Sequence, residues 1–74
     1  MPGSMNGPRR ADGQVAPLLV LHLRAHPELD FSPYELAQVL RVSHGTARRH
    51  LLRLAATGQV RRTTQAPARF QIST

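Results

Sequence analysis

Apolar positions recur with a helical period in three stretches of this chain, then alternate with a strand period near its end. The first stretch, Val15 to Ala25, carries two apolar stripes. Leu18, Leu21 and Ala25 form one; Ala16, Leu19, Val20 and Leu23 form the other on roughly the opposite side. A helix that is apolar all round is normally buried on more than one face. In so small a domain one stripe serves the core, and the stripe of Ala16, Leu19, Val20 and Leu23 is expected to meet a partner. That partner is a second copy in a homodimer, or the rest of a parent protein. Pro17 has no N–H and suits a first helical turn, which sets the start no earlier than about Gln14. Pro27 disfavours helical geometry at His26 and ends the helix.

Ser32 opens the second helix as an N-cap, Pro33 suits the first helical position, and Glu35 completes a capping box. Leu36, Val39 and Leu40 are expected to face the core. Arg41-Val42-Ser43 is a tight turn, and Ser43 caps a third helix over residues 44–56. Ala47, Leu51 and Leu54 fix its buried face, and Gly58 is placed to close it. Val60, Phe70 and Ile72 are the inward residues of a hairpin, with Thr63 to Ala68 as its loop. Leu29 and Phe31 are placed to form a short strand against it. The expected fold class is α+β, mainly α: three helices followed by a small C-terminal antiparallel hairpin. Residues 1–13 are mostly Gly, Pro, Ser, Asn and charge with no apolar period, and are expected to be disordered. Met5 after Gly3-Ser4 reads as a native start preceded by a cloning remnant. Residues 14–74 are expected to form the domain.

Charge changes this picture. The net charge is +6, and all ten basic residues are arginine. Codon usage in a GC-rich genome explains arginine over lysine as readily as function does. It does not explain the distribution. Arg48, Arg49, Arg53, Arg61, Arg62 and Arg69 all follow Ser43, whereas the acids Asp12, Glu28, Asp30 and Glu35 all precede it. One basic face follows from that asymmetry, and a basic face favours polyanions. With Leu51 pointing inward, Gly45, Thr46, Arg49, Arg53 and Ala56 project roughly opposite, and Arg48 and His50 flank them. A guanidinium can grip a guanine edge bidentately or hold a phosphate. Gly45 allows close backbone approach. The same arginines also fit a solvated helix face, and Thr46 also fits a hydrogen bond inside its first turn.

Other chemistry is sparse. There is no cysteine, hence neither a disulfide framework nor a thiolate metal site. His22 and His26 have the spacing of two imidazoles on one metal, but no third ligand is evident, so no metal and no cofactor are expected. No Gly-rich phosphate loop, carboxylate pair or nucleophile elbow appears, so the chain is not expected to be an enzyme. No apolar run approaches the ~18 residues of a membrane span, and a cytoplasmic protein is the default expectation.

Glu35-Leu36-Ala37, Val42-Ser43, Thr46-Ala47-Arg48-Arg49-His50-Leu51, Leu54, Gly58, Val60 and Arg61-Arg62 together resemble a winged helix-turn-helix domain of the bacterial transcription-regulator kind. The likeness spans about Val15 to Ser73. It implies sequence-specific binding of double-stranded DNA by residues 44–56 in a major groove. The residues matching Ser43, His44, Gly45, Thr46, Arg48 and Arg49 approach DNA in that family, and the wing meets the adjacent groove or backbone. Arg53, Arg61, Arg62 and Arg69 are added here from their charge and position. Two departures are visible: Arg41 stands where the family often has Gly, and Ala47 where it has a larger Val. The resemblance implies a transcription regulator or its DNA-binding module. The alternatives are a DNA-anchoring module of a larger plasmid-transfer or chromosome-handling protein, and a winged helix used for protein contacts.

Overall fold

A computed structural model describes residues 12–73. Three helices, α1 (Asp12–Ala25), α2 (Pro33–Leu40) and α3 (His44–Ala56), are followed by strands β1 (Val60–Gln65) and β2 (Ala68–Ile72). The strands form one antiparallel sheet. The architecture is therefore α+β, mainly α. Most of the expected disordered segment lies outside the described residues, but Asp12 and Gly13 are helical.

Helix α1 begins earlier than Pro17 suggested, and Pro17 lies inside it. The amide that proline lacks would have bonded the Gly13 carbonyl. Gly13 is exposed and nothing lies within 4 Å of its Cβ position, so the proline is accommodated at a solvated turn. Val15, Leu19 and Leu23 line up along α1, and all three are fully buried. The expected partner stripe is thus corrected: Leu19 and Leu23 belong to the chain's own core. Leu21 of the opposite stripe is instead 65% exposed.

Helix α2 has the expected start. Ser32 Oγ accepts from Glu35 N at 3.1 Å, and Ser32 N donates to Glu35 Oε1 at 2.9 Å. Its buried residues are Pro33, Leu36, Ala37 and Leu40. Val39, expected to face the core, is 50% exposed. At about 100° per residue it points roughly 110° away from the centre of that four-residue stripe. The turn to α3 reverses at Arg41, whose φ of 60° and ψ of 47° are left-handed. Glycine would adopt this conformation without the steric cost of a Cβ. The reversal lets Val42 N donate to the Ala37 carbonyl at 3.0 Å.

Ser43 caps α3, whose Ala47, Leu51 and Leu54 are buried as the spacing requires. His50 departs from its expected flanking position and is only 3% exposed. Its Nδ1 lies 3.0 Å from the Thr46 carbonyl oxygen. A carbonyl only accepts, so Nδ1 carries the proton in that bond. The imidazole takes up interior space beside Ala47, where a larger side chain is absent. Gly58, at φ 84°, terminates α3: its N–H donates to the Ala55 carbonyl, and Gln59 N–H donates to that of Leu54.

In the hairpin, Val60, Phe70 and Ile72 are buried as alternation predicts. The ladder runs further than expected, through Thr64↔Arg69 to Gln65↔Ala68. Only Ala66-Pro67 remains as the turn, with a cis peptide bond. Thr63 is an extra residue between the Arg62↔Phe70 and Thr64↔Arg69 pairs, a bulge. Phe31 pairs with Phe70 in both directions, N to O at 2.8 Å each way, so the segment before α2 lies along β2. Leu29 is exposed and outside that bridge. All three helices and both strands contribute to one core, from Val15, Leu19 and Leu23 through Leu36, Leu40, Leu51 and Leu54 to Val60, Phe70 and Ile72.

Candidate nucleic-acid interface

The exposed side of α3 is set by its buried side. Ala47, His50, Leu51 and Leu54 point inward, so Gly45, Arg48, Arg49 and Arg53 are left facing solvent. At the helix start, Ser43 Oγ accepts from Thr46 N at 3.1 Å and donates to Thr46 Oγ1 at 2.8 Å. Ser43 is therefore occupied by capping, while the half-buried Thr46 hydroxyl keeps its own proton for an outside acceptor. His44 stands edge-on to Tyr34, with ring centroids 6.4 Å apart. Tyr34 Oη in turn accepts from Gln38 Nε2 at 2.9 Å, which fixes the ring on the surface of α2.

An open groove of about 600 Å³ separates the starts of α2 and α3 from the hairpin. Tyr34, His44 and Arg48 line one side; Arg62, Gln65 and Pro67 line the other. The Arg62 guanidinium lies over the Phe70 ring, 5.6 Å from its centroid, and donates to Gln65 Oε1 at 3.3 Å. Both contacts hold the guanidinium while leaving the residue exposed. Arg61 is exposed as well, and donates to Gln71 Oε1 at 2.9 Å; Gln71 Nε2 then donates to the Pro27 carbonyl at 2.8 Å. The chain is thus basic on both sides of the groove. Gln65 and Pro67 carry no signal of a site in the sequence, because only the fold brings them to the groove that Arg48 lines.

Arg69 also lines this groove, but its guanidinium is engaged within the chain. Its Nε donates to Asp30 Oδ1 at 2.8 Å, and its Nη2 donates to the Asp30 carbonyl at 2.9 Å and to Glu35 Oε1 at 3.1 Å. The structure therefore gives this guanidinium three acceptors inside the chain. Hydrogen bonds from Arg69 and then Thr63 hold the Asp30 carboxyl below its ordinary range, and Asp30 in turn raises Arg69. The capping box accounts for Glu35 in the sequence, but nothing local there ties Glu35 or Asp30 to Arg69. The signal that could have paired Asp30 with Arg69 was the expected Phe31 strand, because its bridge to Phe70 makes Asp30 and Arg69 diagonal neighbours on adjacent strands.

His22 and His26 do come together, with ring centroids 4.9 Å apart and Phe31 edge-on to both. Burial, and then the charge of His26, holds the His22 imidazole below its usual value. Among the described residues there is no group of three potential metal-ligating side chains. No helix among them is long and apolar enough to cross a membrane. No protein-family model, curated protein or solved structure matches the chain.

Proposed function

We propose that the chain binds double-stranded DNA as a winged helix, with α3 in the major groove and the hairpin on the adjacent backbone. It would serve as a transcription regulator or as the DNA-binding module of one. The observation that supports this reading is the shared groove: Arg48 on α3 and Arg62 on β1 line it from opposite sides, beside the exposed Arg49 and Arg53. An α-helix with its side chains is about 10–12 Å across, which matches the ~12 Å width of a B-DNA major groove. No acid occurs after Glu35, so every acid-base imbalance from α3 onward favours a polyanion. Ser43, His44, Gly45 and Thr46 lie at the end of α3 where backbone N–H groups and the helix dipole favour a phosphate.

Gly45 supplies a second argument for the same reading. It is exposed in the first turn of α3, and a Cβ added there would meet nothing within 4 Å. Packing inside the chain does not call for glycine, and glycine in a helix is disfavoured by about 0.5–1 kcal/mol relative to alanine. An outside surface that must come close to the backbone accounts for it. Gly45→Ala is therefore expected to leave stability unchanged or raise it by up to about 1 kcal/mol, while weakening duplex binding. Thermal unfolding and a fluorescence titration on the same samples would check both halves. Equal or tighter binding by the alanine variant would remove Gly45 from the interface.

The hairpin arginines are assigned to phosphates, so their effect should be sequence-independent. Arg61→Gln and Arg62→Gln are each expected to weaken binding about equally on random and selected duplexes. Each should also reduce the slope of log affinity against log salt by about one unit. Titrations at several salt concentrations would measure this; a loss confined to one duplex, at unchanged slope, would contradict the assignment.

A further inference from the structure

Polar groups from three separated parts of the chain meet on one side of the hairpin. Asp30 comes from the segment before α2, Ser32 and Glu35 from the α2 cap, and Thr63 and Arg69 from the two strands. Thr63 Oγ1 donates to Asp30 Oδ2 at 2.8 Å, while Arg69 takes Asp30 Oδ1. Glu35 Oε1 accepts from both Arg69 and the Ser32 amide, so the α2 cap and the hairpin share one oxygen.

We propose that Asp30 is a positioning residue for DNA binding: through Arg69 and Thr63 it sets the hairpin against α2 and α3, so that Arg62 stays opposite Arg48 across the groove. This rests on the duplex-binding reading above for its affinity effect, and on the structure alone for its effect on the hairpin.

The place of the cluster in the hairpin supports this role. The buried residues Val60, Phe70 and Ile72 anchor the base of the two strands. From Arg61 to Pro67 every residue is exposed, and near the tip Ala68 is the apolar side chain that packs against the core. A two-stranded hairpin is marginal without such support. Thr63 and Arg69 sit where the buried part of the hairpin gives way to the tip, and Asp30 holds both. Asp30 and Arg69 side chains are each about a third exposed, at 35% and 32%. An ion pair so open to water adds little to global stability. Its consequence is local: it orders the part of the hairpin that meets the core only through the small side chain of Ala68. It also gives Nε and Nη2 of Arg69 partners within the scaffold.

The experiment turns on a sign. Removing a negative charge from a protein that binds a polyanion should tighten binding if only electrostatics acts. Positioning makes the opposite demand. Asp30→Asn is expected to weaken duplex binding by roughly three- to tenfold, because the hairpin must then be ordered at the moment of binding. The amides of residues 63–66 and of Ala68 are expected to exchange faster with solvent, while those of Leu51 and Leu54 in α3 are unchanged. Arg69→Lys keeps the charge but loses the planar fork, and should reproduce both effects. Hydrogen exchange by NMR on the free protein and a titration at one fixed salt concentration read the two arms. Unchanged hairpin amides, or tighter duplex binding, in Asp30→Asn would overturn the proposal. If the wild type bound no duplex, the duplex reading would fall and Asp30 would lose its role in DNA binding; the amide comparison would still decide whether it orders the hairpin.

Discussion

Phe70→Ala is expected to remove most of the chain's stability at room temperature. Phe70 is fully buried and is the largest of the fully buried side chains. Truncating a buried Phe to Ala costs about 3–5 kcal/mol, from lost transfer free energy and from the cavity left behind. A domain of this length has a total stability of roughly 5 kcal/mol. The position also concentrates several contacts that a cavity would disturb together. Its backbone pairs with Phe31 in both directions, its ring lies under the Arg62 guanidinium, and Arg69 beside it holds Asp30. The hairpin, the segment before α2 and the groove wall should therefore loosen as a unit. Phe70→Leu keeps most of the volume and is expected to cost less than about 1.5 kcal/mol. Urea unfolding followed by circular dichroism would measure both variants. A loss under about 1 kcal/mol for Phe70→Ala would mean that the hairpin does not share the helical core.

The elements of this fold could be read from local chemistry wherever one signal acted alone. Ser32, Pro33 and Glu35 form a capping box that no tertiary contact opposes, and the helix begins where they place it. Gly58 ends α3 because the left-handed residue there needs no partner beyond two carbonyls of the same helix. The alternation of Phe70 and Ile72 with Arg69 and Gln71 predicted the inward side of β2. Failures came where a choice depended on the rest of the molecule. Both stripes of α1 were apolar, and periodicity could not say which one α3 and the sheet would cover. Val15, one turn before Leu19 and two before Leu23, is buried with them and marks the side that the core takes. Val39 was misplaced because α2 buries Pro33 and Ala37, two residues whose small or rigid side chains give little hydrophobic signal. Helical spacing puts His50 on the flank of α3, and its burial follows only from what packs over that flank, with Nδ1 meeting a backbone carbonyl. For the candidate interface, the helix face of Arg48, Arg49 and Arg53 followed from Leu51 alone. The groove and the internal use of Arg69 did not, since they join residues more than thirty positions apart.

Arg49→Ala is expected to weaken binding to a preferred duplex by about 1–3 kcal/mol, roughly five- to 150-fold, if the guanidinium reads a base edge as proposed. Arg49 is exposed in the middle of α3, on the side away from Leu51 and Leu54. Arg53 lies one turn further along on the same side, and Arg48 faces the groove opposite Arg62. Truncation should therefore spare the core, and unfolding curves should be near those of the wild type. The more telling substitution is Arg49→Lys. Lysine keeps the positive charge, and with it the attraction to phosphates, but it cannot present two parallel N–H groups to a guanine. If Arg49 reads a base, Arg49→Lys should lose most of what Arg49→Ala loses on the preferred duplex, while binding random duplex nearly as well as the wild type. If Arg49 only holds a phosphate, lysine should restore binding on both, and Arg49→Ala should instead reduce the salt slope by about one unit. Parallel titrations of the two variants against selected and random duplexes separate these cases. Equal affinity of wild type, alanine and lysine variants for every duplex would place the contact surface elsewhere on the molecule.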